Sequence, residues 1–254
     1  MSKKKPGKPE TLGICVYCGQ SGRVEPDHVV PCTLFLHGNQ SKWTVPSCRS
    51  CNVRKSAGES DLRDYVVIDK DGSRHPQALR LLPLIEKAAV KGFSRIALAV
   101  MDAEDKPLIT PAGIYLGHFP TTTIDDGPML RSLEMMVRGL YFLEMKRILP
   151  VNCPVEVKRV DRYRSPEIAN RMAKLPHRGP HALRDDIFWR LSVHTEDALG
   201  NPDDLAQVAD VSIWLLCFFD QVLFFGQTGS RAPHKDKQVP VEDLVGPNRL
   251  TLRT

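Results

Sequence analysis

Residues 15–55 read CVYCGQSGRVEPDHVVPCTLFLHGNQSKWTVPSCRSCNVRK, and two C-x2-C pairs frame them: Cys15 with Cys18, and Cys48 with Cys51. Each pair forms a tight knuckle that can aim two thiolates at one point. Four thiolates make the closed tetrahedral site that zinc prefers. A redox C-x-x-C is the competing reading, but two matched pairs with no βαβ pattern around them argue against it. Residues 13–66 are dense in Cys, Gly, Pro and Asn and thin in large apolar side chains. A structural metal would supply the stability that such a segment cannot draw from a core of its own. One structural Zn²⁺ per chain is therefore expected on these cysteines. Cys32, Cys153 and Cys217 have no partner at ligand spacing and are expected as core or unpaired thiols.

Between the knuckles, Asp27 and His28 stand side by side in VEPDHVVP. On an extended strand neighbouring side chains point to opposite faces, so one can meet a metal while the other meets a water. A neutral imidazole can take a proton from that water. Directly after the second knuckle come Asn52, Arg54 and Lys55. Asn52 reads in two ways, as a helix cap or as an amide oxygen offered to a hard cation beside Asp27.

Taken together, Cys15-x2-Cys18, Asp27-His28-x2-Pro31 and Cys48-x2-Cys51-Asn52-x2-Lys55 resemble the zinc-containing branch of the HNH endonucleases. The resemblance covers residues 13–66. It implies a ββα-metal unit: a two-stranded hairpin and a helix with one catalytic divalent ion between them. It further implies His28 as general base for phosphodiester hydrolysis, with Asp27 and Asn52 as ligands of a Mg²⁺ or similar ion. Lys55 and the neighbouring Arg54 would contact phosphate, and Arg49 joins them as a nucleic-acid contact. The family also places an Asn on the second strand, where it orients the base. Ser41 and Trp43 stand at the corresponding positions here, so Asn39, slightly upstream, is the candidate if the hairpin register brings it to His28. The activity implied is that of a metal-dependent endonuclease, with DNA as the expected substrate. The alternative is a zinc-stabilised nucleic-acid-binding module that has lost catalysis.

Charge points the same way. The chain carries a formal net charge of +5, and all of it falls within residues 1–60; the remainder balances. A basic segment beside a neutral body suits a polyanionic partner. The composition, 42% apolar and 26% charged, is that of a folded globular chain and excludes collagen-like, coiled-coil and wholly disordered classes. The most apolar stretch, residues 212–225, contains Asp220 and falls short of the roughly 20 residues a bilayer-spanning helix needs. No membrane partner is expected. The basic start MSKKKPGKPE has no apolar run behind it, so a cytoplasmic location is expected.

The whole is expected to be α+β: a small zinc-stabilised ββα-metal module followed by a larger α+β domain. Residues 1–12 read as a basic tail, 13–66 as the nuclease module, 77–230 as the second domain and 231–254 as a C-terminal tail. The boundary is set at the turn signal Asp71-Gly72 and at Pro76. Helices are expected over 77–91, with Leu79, Leu82, Ile85, Ala88 and Ala89 on one face, and over 128–149, with Asp126 as N-cap. Strands are expected over 95–101, 114–119, 155–160 and 187–193, and a buried hairpin over 213–225. His177, His181, Asp185 and Asp186 read as a polar loop, and His118 as a strand histidine.

Overall fold

The computed structural model describes residues 11–36, 43–70, 72–110, 112–160, 178–183, 187–194 and 211–229. The tails at 1–10 and 231–254, Asn39, His177, Asp185 and Asp186 lie outside them. The architecture is α+β. Strands β1 (Thr11–Ile14), β2 (Ser21–His28) and β3 (Thr44–Ser47) form an antiparallel sheet in that order. In the β2–β3 register Asp27 faces Val45 and His28 faces Thr44. Helix α1 (Arg49–Ile68) follows directly, with Cys48 at its N-cap in extended conformation. Two antiparallel strands and then a helix are thus present, with β1 added at the edge. The inward stripe of α1 runs through Cys51, Lys55, Gly58, Leu62 and Tyr65, the three- and four-residue spacing of one helical face.

Helix α2 (Pro76–Val90) has Pro76 in its first turn, and His75 caps it by accepting from Gln77 N–H at 3.2 Å. Pro83 lies inside this helix. Its buried residues are Ala78, Leu81, Ile85 and Ala89, while Leu79 is 56% exposed, so the inward face is rotated from the expected one. Residues 95–101 are also helical, not a strand: α3 (Arg95–Met101) begins at Ser94, whose hydroxyl accepts from Ala97 N–H at 3.2 Å. That cap outweighs the strand propensity of a run of small and β-branched residues. Strands β4 (Glu104–Ile109) and β5 (Tyr115–Thr121) form an exposed hairpin that carries His118.

Helix α4 (Gly127–Met145) has Asp126 at its N-cap position without a side-chain cap bond. It closes on Lys146 at φ 54°, short of the expected residue 149. Five antiparallel strands follow: β6 (Val155–Val160), β7 (Arg178–Leu183), β8 (Phe188–His194), β9 (Ser212–Phe218) and β10 (Val222–Thr228), in the order β6-β10-β9-β8-β7. His181 therefore belongs to a strand and not to a polar loop. The β9–β10 hairpin turns at Phe219 and Asp220, both left-handed at φ 50° and 58°. Trp214, Phe218, Phe219 and Phe224 are fully buried and belong to the core.

The core does not divide at residues 67–76. Cys15, Val29 and Leu62 belong to the same cluster of buried side chains as Met136, Trp214 and Phe224. The two expected domains therefore share one core, because α1 packs along α4 and α4 against the large sheet. At the helix crossing a Cβ on Gly58 would lie 2.0 Å from Pro128 O, so only glycine fits there. The sheet also reaches the strand hairpin. The guanidinium of Arg190, ion-paired with Glu144, lies 5.5 Å from the ring of Trp43 and 5.4 Å from that of Trp214. Trp43 O in turn accepts from Val29 N–H at 2.9 Å, one residue beyond His28. No helix among the described residues is long and apolar enough to cross a membrane.

Candidate functional site

The first knuckle sits in the turn between β1 and β2. Gly19 N–H donates to Cys15 O at 2.8 Å, and Val16 N–H ties the turn to Pro46 O of β3 at 2.9 Å. The second knuckle spans the N-cap and first turn of α1. The four sulfurs all lie within 4.8 Å of one another, and Cys18 Sγ is 3.8 Å from Cys48 Sγ. A tetrahedron with Zn–S bonds of about 2.3 Å has edges of about 3.8 Å, so the cluster has the dimensions to hold a metal such as zinc. Among the described residues it is the one group of three or more His, Cys, Asp or Glu side chains so gathered. Burial works against ionisation of Cys48, but hydrogen bonds from Ser50 and from the Cys51 backbone prevail and bring its thiol down to about 6. Burial pushes the Cys18 and Cys51 thiols up. Cys32, Cys153 and Cys217 lie outside the cluster, Cys217 fully buried.

Asp27 lies on the face of β2 that packs on α1 and is 5% exposed. Its Oδ2 accepts from Tyr17 OH at 2.7 Å and lies 3.3 Å from Lys55 Nζ. Burial, reinforced by the charge of Asp27, raises the Tyr17 phenol well above its usual range, so it stays protonated and donates. Lys55 is fully buried. Its ammonium donates to Glu59 Oε1 and, at 2.6 Å, to the backbone carbonyl of His28. The phosphate contact expected for Lys55 is not presented here: its ammonium is enclosed between two carboxylates and a carbonyl.

Asn52 does not pair with Asp27 either. Its Nδ2 donates to Glu25 Oε1 at 2.6 Å, and its Oδ1 accepts from Ser56 at 3.4 Å. Glu25 and Asp27 are two apart on β2 and so share one face, while Asn52 and Lys55 are three apart on α1. The two elements meet as Glu25–Asn52 and Asp27–Lys55, side by side. The His28 side chain is half-buried, and its Nδ1 is buried with no hydrogen-bond partner among the described residues. Arg49 and Arg54 are exposed on the first turns of α1. Arg49, Val53, Arg23, Val24 and Glu25 line a shallow groove of about 360 Å³ between β2 and α1.

Sequence reasoning did not single out Tyr17, Arg23, Glu25 or Glu59. Glu25 had a usable signal, its two-residue spacing from Asp27, and Glu59 had another, its four-residue spacing from Lys55. Tyr17 had none beyond lying inside a knuckle. No family model matches this chain, and neither curated proteins nor solved structures provide a match.

Proposed function

We propose that the chain is a metal-dependent endonuclease of the HNH type, acting on nucleic acid and most readily on DNA. Zn²⁺ occupies the four cysteines and is structural, since four thiolates leave no open position for substrate. His28 is the general base. It ends β2 with a half-buried ring, and the orphaned Nδ1 is the single observation that carries this reading. A buried ring nitrogen without a partner is costly, and a base needs one nitrogen held so that the other can take a proton from water. Asn39, the candidate for that role in the sequence, lies outside the described residues.

Asp27 and Asn52 would hold the catalytic divalent ion in exchange for their present partners, Tyr17 and Lys55 for Asp27 and Glu25 for Asn52. When bound, that ion supplies Lewis-acid stabilisation of charge developing on the phosphate. The chain's own residues bind and orient. Arg49 and Arg54 offer guanidinium groups to the phosphodiester backbone, and His28 accepts the proton of the attacking water. The leaving group is then the 3′ oxygen. Incubating the metal-loaded protein with plasmid DNA, single-stranded DNA and RNA in Mg²⁺ or Mn²⁺ tests this. Cleavage to 3′-hydroxyl and 5′-phosphate ends is expected, and binding without cleavage of any of the three would defeat it.

A second reading has its own support. The engagement of Asp27 by Tyr17 and Lys55 suits a structural carboxylate and favours a binding module without catalysis. Cleavage separates the two readings, because both predict binding.

A further inference from the structure

Tyr17, which lies between two of the clustered cysteines, is joined to His28 by a line of polar contacts. Tyr17, between Cys15 and Cys18, is 5% exposed and donates to Asp27. Asp27 pairs with Lys55, and Lys55 reaches Glu59 and the His28 carbonyl. An ammonium group has three donors and no acceptor. Here three acceptor groups surround it, one of them the backbone of the residue read as the base.

Enclosing a lysine this completely is a poor route to stability. Desolvating an ammonium and two carboxylates offsets most of their mutual attraction, and apolar residues of similar size often serve as well. What such a network does supply is geometry, because its contacts are directional. The contact to His28 is to its main chain, so it fixes the strand end from which the imidazole projects. The contact through Asp27 to Tyr17 refers that position to the knuckle. Glu59, one turn along α1 from Lys55, anchors the ammonium by an ion pair.

We propose that Lys55 is a positioning residue for His28, and that Tyr17 and Asp27 transmit the order of the metal knuckle to it. The proposal rests on the reading of His28 as general base for its effect on rate, and on geometry alone for its effect on the ring. Loss of the metal would then disorder His28 even though His28 is not one of the four cysteine ligands. The chemistry of the step is unaltered; what changes is the fraction of molecules with the imidazole correctly placed.

The test uses the full metal-loaded chain with Tyr17→Phe, Glu59→Gln and Lys55→Met. Three readouts are compared with wild type: metal content, the imidazole ¹⁵N signals of His28, and plasmid cleavage in Mg²⁺. The expected result is unchanged metal content, shifted or broadened His28 signals, and kcat lowered by roughly 10- to 100-fold at constant KM, the scale of a misplaced catalytic group. Glu59→Gln should be the mildest, since it preserves shape. Should Lys55→Met not fold, Tyr17→Phe, which removes one oxygen, decides the matter. Wild-type His28 signals in the folded variants would overturn the proposal. A wild-type chain that cleaves nothing would overturn the nuclease reading instead, and the His28 signals would still decide the positioning role.

Discussion

The Nζ of Lys55 lies 2.6 Å from the carbonyl oxygen of His28 and binds the last residue of β2 to the second turn of α1. The residue that the resemblance to HNH endonucleases assigns to phosphate is here enclosed among Asp27, Glu59 and the His28 carbonyl. On the proposed function, the cationic groups offered to phosphate are then the exposed Arg49 and Arg54 of α1. Several expected outcomes distinguish this arrangement from its alternatives.

Nucleic-acid binding should be strongly salt-dependent. Each phosphate neutralised contributes about −0.9 to the slope of log K against log salt on duplex DNA. Arg49→Ala and Arg54→Ala should each flatten that slope by up to about 0.9. Lys55→Met should leave it unchanged, because the Lys55 ammonium is fully buried. Fluorescence anisotropy at several salt concentrations reads all three slopes. A flattened slope in the Lys55 variant would return that residue to the phosphate interface.

Cys48→Ser should lower bound zinc from about one equivalent to near zero, since three thiolates leave the tetrahedral site open. Because Cys15 and Cys51 belong to the cluster that contains Trp214 and Phe224, the damage should reach the whole core. Thermal unfolding should remain one transition at a lower midpoint. Two separated transitions, with a body that melts as in wild type, would contradict the continuity of the core.

The sequence made the two knuckles, α4 and the β9–β10 hairpin legible, because each depends on local spacing or periodicity. The helix over Arg95–Met101 was not legible from its apolar run, whose period is ambiguous; the Ser94 cap carried the better signal. The enclosure of Lys55 was not legible for a different reason. A lysine is read as a surface charge unless its partners are known, and Asp27 lies far from it in sequence. The pairing of Asn52 with Glu25 and not Asp27 likewise depends on how α1 sits on β2, a tertiary fact. The shared core followed from glycine at position 58, whose meaning appears only when Pro128 stands against it.

Gly58→Ala tests that crossing. With Pro128 O 2.0 Å from the new Cβ, α1 and α4 must separate. The expected loss is about 1–3 kcal/mol or more, the range for overpacked sites. Urea unfolding that shows an unchanged midpoint would contradict the close approach of the two helices.

Glu134 gives a pH-dependent outcome. Burial on α4 raises its carboxyl above the usual range, against the opposing charges of Arg138 and Arg131. The folded chain therefore holds this proton more tightly than the unfolded chain does. The resulting penalty is present above the folded pKa and disappears as pH falls through it. Glu134→Gln should raise the unfolding midpoint near pH 7 and have little effect near pH 4. An effect of the same size at both pH values would show that charge burial is not its cause.

The most direct test of the central claim is the single-turnover rate of plasmid cleavage in Mg²⁺ by wild type and His28→Ala, both with zinc content and folding verified. A positioned general base typically contributes about 10²–10⁴-fold. The account predicts cleavage by wild type and a loss of that size in His28→Ala, with zinc retained because His28 is not one of the clustered cysteines. Equal rates in the two proteins, or no cleavage by either, would contradict it.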